Sequence, residues 1–166
     1  MSQKHRRYTL KSKEAKQILT QASGKLKLDL ESLFGSKPSV EVVEAEAGEV
    51  LLINGKPLLF KTEGKVFPTL MADEVLGKLP KVVVDMGAVR FVCNGADVMA
   101  PGIVRFEGEF SSGEVVLVVD VKHGKPLALG ETLYGSDEAK EVKQGAVVKS
   151  KHYVSDKVWN FAKTLS

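Results

Sequence analysis

The chain has one cysteine, Cys93, one tryptophan and three histidines among its 166 residues. A lone thiol forms neither an intrachain disulfide nor a cysteine-rich metal site, so an apolar core has to hold the fold together. His5 sits in a basic opening segment, His123 in a predicted hairpin turn and His152 near the C-terminus, and none belongs to an HExxH or comparable zinc signature. Neither GxGxxG nor GxxxxGKS occurs, so the common nucleotide-binding fingerprints are absent. No run of eighteen apolar residues is present, and no apolar stretch follows the basic start "MSQKHRRYTLKSKEAKQ". The expectation is a cytoplasmic protein with no metal, no cofactor and no membrane attachment.

Arginine is also scarce: Arg6, Arg7, Arg90 and Arg105 stand in a chain whose other cationic side chains are lysines. The formal net charge is only +3, but it is unevenly spread. Lys4, Arg6, Arg7, Lys11, Lys13, Lys16, Lys25 and Lys27 face only Glu14 and Asp29 up to Leu30, and a second lysine-rich stretch runs from Lys140 to Ser166. Such clustering is compatible with a phosphate-rich partner, and equally with a solvated basic surface. Lys13 and Lys16 fall on one side of a helix, so Lys11, Lys13 and Lys16 are assigned to a basic face.

The apolar content of 43% is that of an ordinary globular chain. The first thirty residues read as one or two short helices. "KLKLDLESLFG" fits either an extended segment, from the alternation of Leu26, Leu28 and Leu30, or a helix turn ended by Gly35. "SVEVVEA" and "EVLLINGKPLLFKT" read as strands, the latter folded at Asn54-Gly55. "FPTL" breaks the strand pattern, and Thr69 or Asp73 can start a short helix. Gly77 and Pro80 then punctuate a boundary. Beyond it come a buried strand "KVVVD", a helix with Ala88, Phe91 and Val92 on one face and Gly95 at its end, and four further β-like runs. The expected fold class is α+β: a small mixed N-terminal domain over residues 1–79, a pseudo-barrel of five to six strands with short helices over 80–158, and a C-terminal tail over 159–166. Trp159 is assigned to the sealing of the barrel core.

No catalytic set stands out. Asp85 and Asp97 flank the predicted helix, where Asp85 is better placed to cap it and Asp97 to fix the following turn. Binding is easier to build from "GAVRFVCNGADVMAPG". Gly87, Gly95 and Gly102 allow close backbone approach, and the Met99-Ala100-Pro101-Gly102 turn offers an apolar ledge. Arg90 and Arg105 present rigid forks for phosphate or a base edge, unless they only pair with acids such as Glu107 and Glu109. "KSKHYVSDKVW" brings Lys149, Lys151, His152 and Tyr153 together, a mixture of charge and rings suited to single-stranded or terminal RNA. If they lie on a strand, Lys149 and Lys151 share a face.

"VDMGAVRFVCNGADVMAPGI", "GEVVLVVDVKHGKPLALGE" and "KQGAVVKSKHYVSDKVW" together resemble a PUA domain, the small RNA-binding barrel of pseudouridine synthases and archaeosine transglycosylases. "EVLLINGKPLLFKTEGKVFPTL" resembles the pre-PUA region of the MCT/ligatin family of translation factors, whose archaeal members are short two-domain proteins. The resemblance implies RNA binding without catalysis. Carried over residue by residue, it implies an RNA surface at Gly87, Ala88, Arg90, Gly95, Ala96, Met99, Ala100, Pro101 and Gly102, with Lys151, His152 and Tyr153 nearby. The implied partners are structured RNA, tRNA at its acceptor or CCA end foremost, then the small ribosomal subunit and an initiation-factor-like protein; DNA is not expected. The chain departs from the eukaryotic pattern in having no second, initiation-factor-like module. The alternative is a stand-alone PUA adaptor for an enzyme that modifies tRNA or rRNA.

Overall fold

Asn54 and Gly55 both take positive φ, 52° and 85°, the geometry of the two-residue turn that matches strand twist. They join β3 (Gly48–Ile53) to β4 (Lys56–Thr62) in a computed structural model that describes residues 6–166; His5 and Lys4 lie outside the described residues. The chain divides into two compact units, Met1–Gly77 with Lys157–Ser166, and Lys78–Asp156.

In the first unit, β1 (Arg7–Thr9), β2 (Val40–Ala45) and β5 (Lys65–Pro68) complete an antiparallel sheet in the order β1-β2-β3-β4-β5. Neither β1 nor β5 shows in the hydrophobic pattern. β1 is an edge strand held by backbone pairing of Arg7, Tyr8 and Thr9 to Val43, Val42 and Glu41, with Arg7 Nε also donating to Glu41 at 2.7 Å. β5 ends at a proline, yet it buries Phe67, whose ring stacks on Phe60 at 5.5 Å. Helix α1 (Ser12–Leu26) turns Ala15, Ala22 and Leu26 inward, at the spacing of one helical face. Lys27 is left-handed and ends it, so the leucine alternation never becomes a strand. Asp29 then caps α2 (Leu30–Phe34), and Gly35 at φ 94° stops it. A short α3 (Asp73–Leu76) follows.

The C-terminal residues differ from their expected role as a tail. They form α6 (Lys157–Leu165), which packs on β3 and β4 with Val158 and Ala162 buried. Trp159 lies on this helix, half-buried beneath the Lys163 ammonium at 4.1 Å, and belongs to the first unit rather than to the core of the second.

The second unit holds β6 (Lys81–Val84), α4 (Met86–Val92), β7 (Val98–Met99), β8 (Ile103–Glu107), β9 (Val115–Asp120), β10 (Pro126–Thr132), α5 (Ser136–Ala139) and β11 (Ala146–Tyr153). Its six strands run in the order β7-β11-β10-β9-β6-β8, with β6 and β9 parallel. The edge strands β7 and β8 are separated in sequence only by a 3-10 turn, Ala100–Gly102. Three residues reach about 11 Å at most, so the sheet has to curl into a half-barrel. Every residue of β9 is buried, which is why "VVLVV" reads as an unbroken apolar run instead of an alternation. A bulge lies at Leu129/Gly130 in the β10–β11 pairing. A side chain at Gly130 would meet the Lys149 carbonyl oxygen at 2.5 Å and press on Val148. The architecture is the expected α+β fold with a curled sheet and short helices.

Candidate nucleic-acid interface

The stretch from Asp85 to Gly102 is closed on itself by short-range chemistry. Asp85 Oδ1 accepts from the Ala88 N–H at 2.8 Å, capping α4. At the other end the Ala96 N–H bonds to Phe91 O and the Gly95 N–H to Val92 O, the paired bonds of a Schellman stop with glycine in the left-handed position. Gly95 has φ 92°, and a side chain there would meet the Tyr153 ring at 2.9 Å. The close approach this glycine allows is therefore to Tyr153. Gly102 works similarly: its carbonyl accepts from the Asp85 N–H at 2.9 Å, and a methyl at Gly102 would lie 3.0 Å from Ala88 Cβ. The helix and the 3-10 turn are thus packed against each other.

Asp97 acts differently from the expected turn-former. Its Oδ1 accepts from the Ser150 N–H at 2.9 Å and ties the segment to β11. Two further links reinforce the join: β7 pairs with β11 through Val98 and Met99, and the Ala100 N–H bonds to Gly145 O at 2.9 Å.

On this braced segment three large apolar side chains face solvent: Met86 at 46%, Phe91 at 55% and Met99 at 49% exposure. Ala88, Phe91 and Val92, grouped on one helical face by their spacing, differ in burial. Only Val92 is fully buried, and the Arg90 guanidinium lies over the Phe91 ring at 4.8 Å. Gly87, Ala96 and Pro101 are exposed, while Ala88, Gly95, Ala100 and Gly102 are half-buried. Cys93 sits just beneath. Burial pushes its thiol up, with Lys125 pulling weakly the other way, so it is poorly suited to act as a thiolate nucleophile.

The C-terminal part of the predicted surface needs correction. His152 is fully buried, with Nδ1 2.8 Å from Asp156 Oδ2, an oxygen that also accepts from the Tyr153 N–H at 2.9 Å. It cannot touch RNA without the sheet opening. The Lys151 side chain is also largely enclosed and pairs with Glu131 at 3.5 Å. Residue 151 has no partner in the β10 register, where Ser150 pairs with Gly130 and His152 with Leu129. The bulge disturbs the simple alternation from which Lys149 and Lys151 were expected to share an open face. Lys149 is exposed and Tyr153 half-buried against Gly95. Arg105 is exposed on β8, with its Nε bonded to Glu107 at 3.0 Å, the acid pairing left open as an alternative. In the first unit Lys11, Lys13 and Lys16 are all exposed at the start of α1.

A family model described as the PUA domain matches residues 80–154, and one described as a domain of unknown function, DUF1947, matches residues 6–72. The chain is 32% identical over 140 residues to Malignant T-cell-amplified sequence 1 of Danio rerio, covering 79% of this chain and 76% of that one. It belongs to that family. Translation machinery-associated protein 20 of Saccharomyces cerevisiae is 28% identical over 162 residues, covering 93% and 87%. The crystal structure of a hypothetical protein from Pyrococcus horikoshii superposes with a TM-score of 0.80 at 37% identity, covering 94% of this chain and 99% of that one.

Within the PUA region, sequence reasoning found the segment but missed which side chains it exposes. Met86 and Phe91 were absent from the expected site, although an aromatic next to the scarce Arg90 was a readable signal. The described residues contain no cluster of three or more metal-ligating side chains, and no helix among them is long and apolar enough to cross a membrane.

Proposed function

We propose that the protein is a non-catalytic RNA-binding accessory factor of translation, which takes the end of a structured RNA on the surface of α4, β7 and the 3-10 turn. The observation that carries this reading is the exposed Phe91 ring with Arg90 laid over it, on a segment braced by Asp85, Asp97 and Gly95. A solvent-facing ring with an adjacent guanidinium is a stacking platform for an unpaired base. Gly87, Ala96, Met99 and Pro101 supply the low, partly apolar surroundings in which a base or ribose can rest. Arg90 and Lys149 supply positive charge, whereas Lys151 and His152 act as internal supports.

The named relative associated with the translation machinery supports a role there, and a tRNA acceptor or CCA end is the RNA that fits a terminal stacking site. Lys11, Lys13 and Lys16 add sequence-independent attraction from the first unit. The test is quantitative binding to tRNA with its CCA end intact or removed, at fixed salt. Preference for the intact end, lost in Arg90→Ala with Phe91→Ala, is the expected result. Equal binding of every RNA reduces the surface to non-specific electrostatics. Association with ribosomal subunits in gradient profiles supports the translation role. Co-purification with an RNA-modifying enzyme without ribosomal association would instead favour the adaptor role.

A further inference from the structure

Next to the 3-10 turn a groove of about 460 Å³ runs between β8 and the connection from α5 to β11, a volume within the ~300–1,000 Å³ range of ligand clefts. Ala100 and Pro101 line it from one side, so it opens directly from the surface assigned above to an RNA end. Its floor is apolar, with Ile103 and Val142 half-buried. Its charged lining consists of Arg105, Lys140 and Lys143, with no acidic side chain. Glu107 bonds Arg105 Nε without lining the groove. Glu138 and Glu141 occupy the same chain segment as the lysines but likewise do not line it. Lys140 and Lys143 are exposed, and among the described residues neither is tied up in an ion pair.

We infer that this groove is a second subsite, which holds the sugar-phosphate backbone of the nucleotides adjoining the RNA end; the inference rests on the RNA reading above. The reason is the combination of chemistries. Three cations at the margin of an apolar floor match a chain in which anionic phosphates alternate with ribose faces, and they carry no sequence information. Position completes the argument. The bond from the Ala100 N–H to Gly145 O ties the shared turn to the end of the lysine-bearing connection, just before β11, and Ala100 and Pro101 belong to both sites. The two subsites divide the work. Stacking at Phe91 recognises an end, whereas the groove holds the backbone that leads up to it.

The test uses the full chain and two RNAs, an intact tRNA and a single-stranded tetranucleotide with the same 3′ sequence. Lys140→Gln with Lys143→Gln removes two phosphate contacts. For tRNA the slope of log affinity against log salt should become shallower by about 1.4–1.8, at roughly 0.7–0.9 per contact. Binding of the tetranucleotide should be unchanged, and Lys140→Arg with Lys143→Arg should keep the wild-type slope. An unchanged slope for tRNA that still binds overturns the groove and leaves the end site standing. Equal loss of both RNAs at an unaltered melting temperature overturns the division into two subsites. Failure of the wild type to bind either RNA removes the RNA reading itself, and the groove with it. Binding of an acidic peptide that depends on both lysines, with RNA binding unaffected, would reassign the groove to a protein partner.

Discussion

Phe60 and Phe91 lie in different units and meet opposite fates. Phe60 is 1% exposed and stacks on Phe67 in the first unit, whose large apolar side chains converge on the sheet. Phe91 is one of six large hydrophobic residues left open among the described residues, with Met86, Met99, Val104, Val121 and Leu133, and all six belong to the second unit. Met99 and Val104 lie on the edge strands β7 and β8, Met86 and Phe91 on α4, and Val121 and Leu133 just beyond β9 and β10. Three of the six, Met86, Phe91 and Met99, belong to the single braced stretch from Asp85 to Gly102, and grouped exposed apolar side chains mark a contact site more readily than scattered ones. The first unit instead presents charge, through Lys11, Lys13 and Lys16 on α1.

The strongest way to break this contrast is to truncate both rings. Phe60→Ala should cost about 3–5 kcal/mol of stability through lost burial and a cavity, read as a drop in unfolding midpoint. Phe91→Ala should leave stability within about 0.5 kcal/mol while weakening RNA-end binding by about 1–3 kcal/mol. Equal destabilisation by the two would erase the distinction. Next in size, Lys151→Ala should destabilise the second unit by about 1–3 kcal/mol, because it removes a charged partner from the largely enclosed Glu131 carboxylate. If denaturant unfolding is unchanged and only RNA affinity falls, Lys151 is an open contact after all.

A smaller effect separates the units by pH. Asp120 accepts backbone N–H bonds from His123 and Lys125, and these, the His123 bond foremost, hold its carboxyl below the usual carboxylate range. The stability it contributes is therefore present above the unfolded carboxylate pKa. It is lost as pH falls through the lower folded value. The corresponding turn of the first unit rests on uncharged Asn54 and Gly55. Acid titration of wild type against Asp120→Asn should show the wild-type advantage shrinking only at acid pH; a constant difference would contradict the assignment. Smallest of all, Lys11→Gln, Lys13→Gln and Lys16→Gln together should leave stability unchanged and flatten the salt dependence of RNA binding. An unaltered slope would remove the first unit from the interface.

Legibility followed the range of the interactions. Asn54-Gly55, the Asp85 cap and the Gly95 helix stop were readable because each is a local backbone requirement. β1 and β5 were not, because their pairing depends on strands distant in sequence and one of them ends in a proline. The segment from Gly87 to Gly102 is legible as a surface, yet two of its three glycines credited with approach to a ligand, Gly95 and Gly102, admit Tyr153 and Ala88 instead. Similar spacing concealed opposite environments for Lys149 and Lys151, since a single bulge re-aims the strand.

By itself the sequence determined the α+β class, the hairpin at Asn54-Gly55 and the non-uniform distribution of basic residues, all properties of composition or of neighbours in the chain. Only the tertiary structure decided that His152 is buried on Asp156, that Lys151 is spent on Glu131, that α6 joins the first unit and that Phe91 faces water. Apart from the local His152–Asp156 bond itself, each of these depends on which distant segment fills the adjoining space, and a side chain's availability for binding is whatever that packing leaves uncovered.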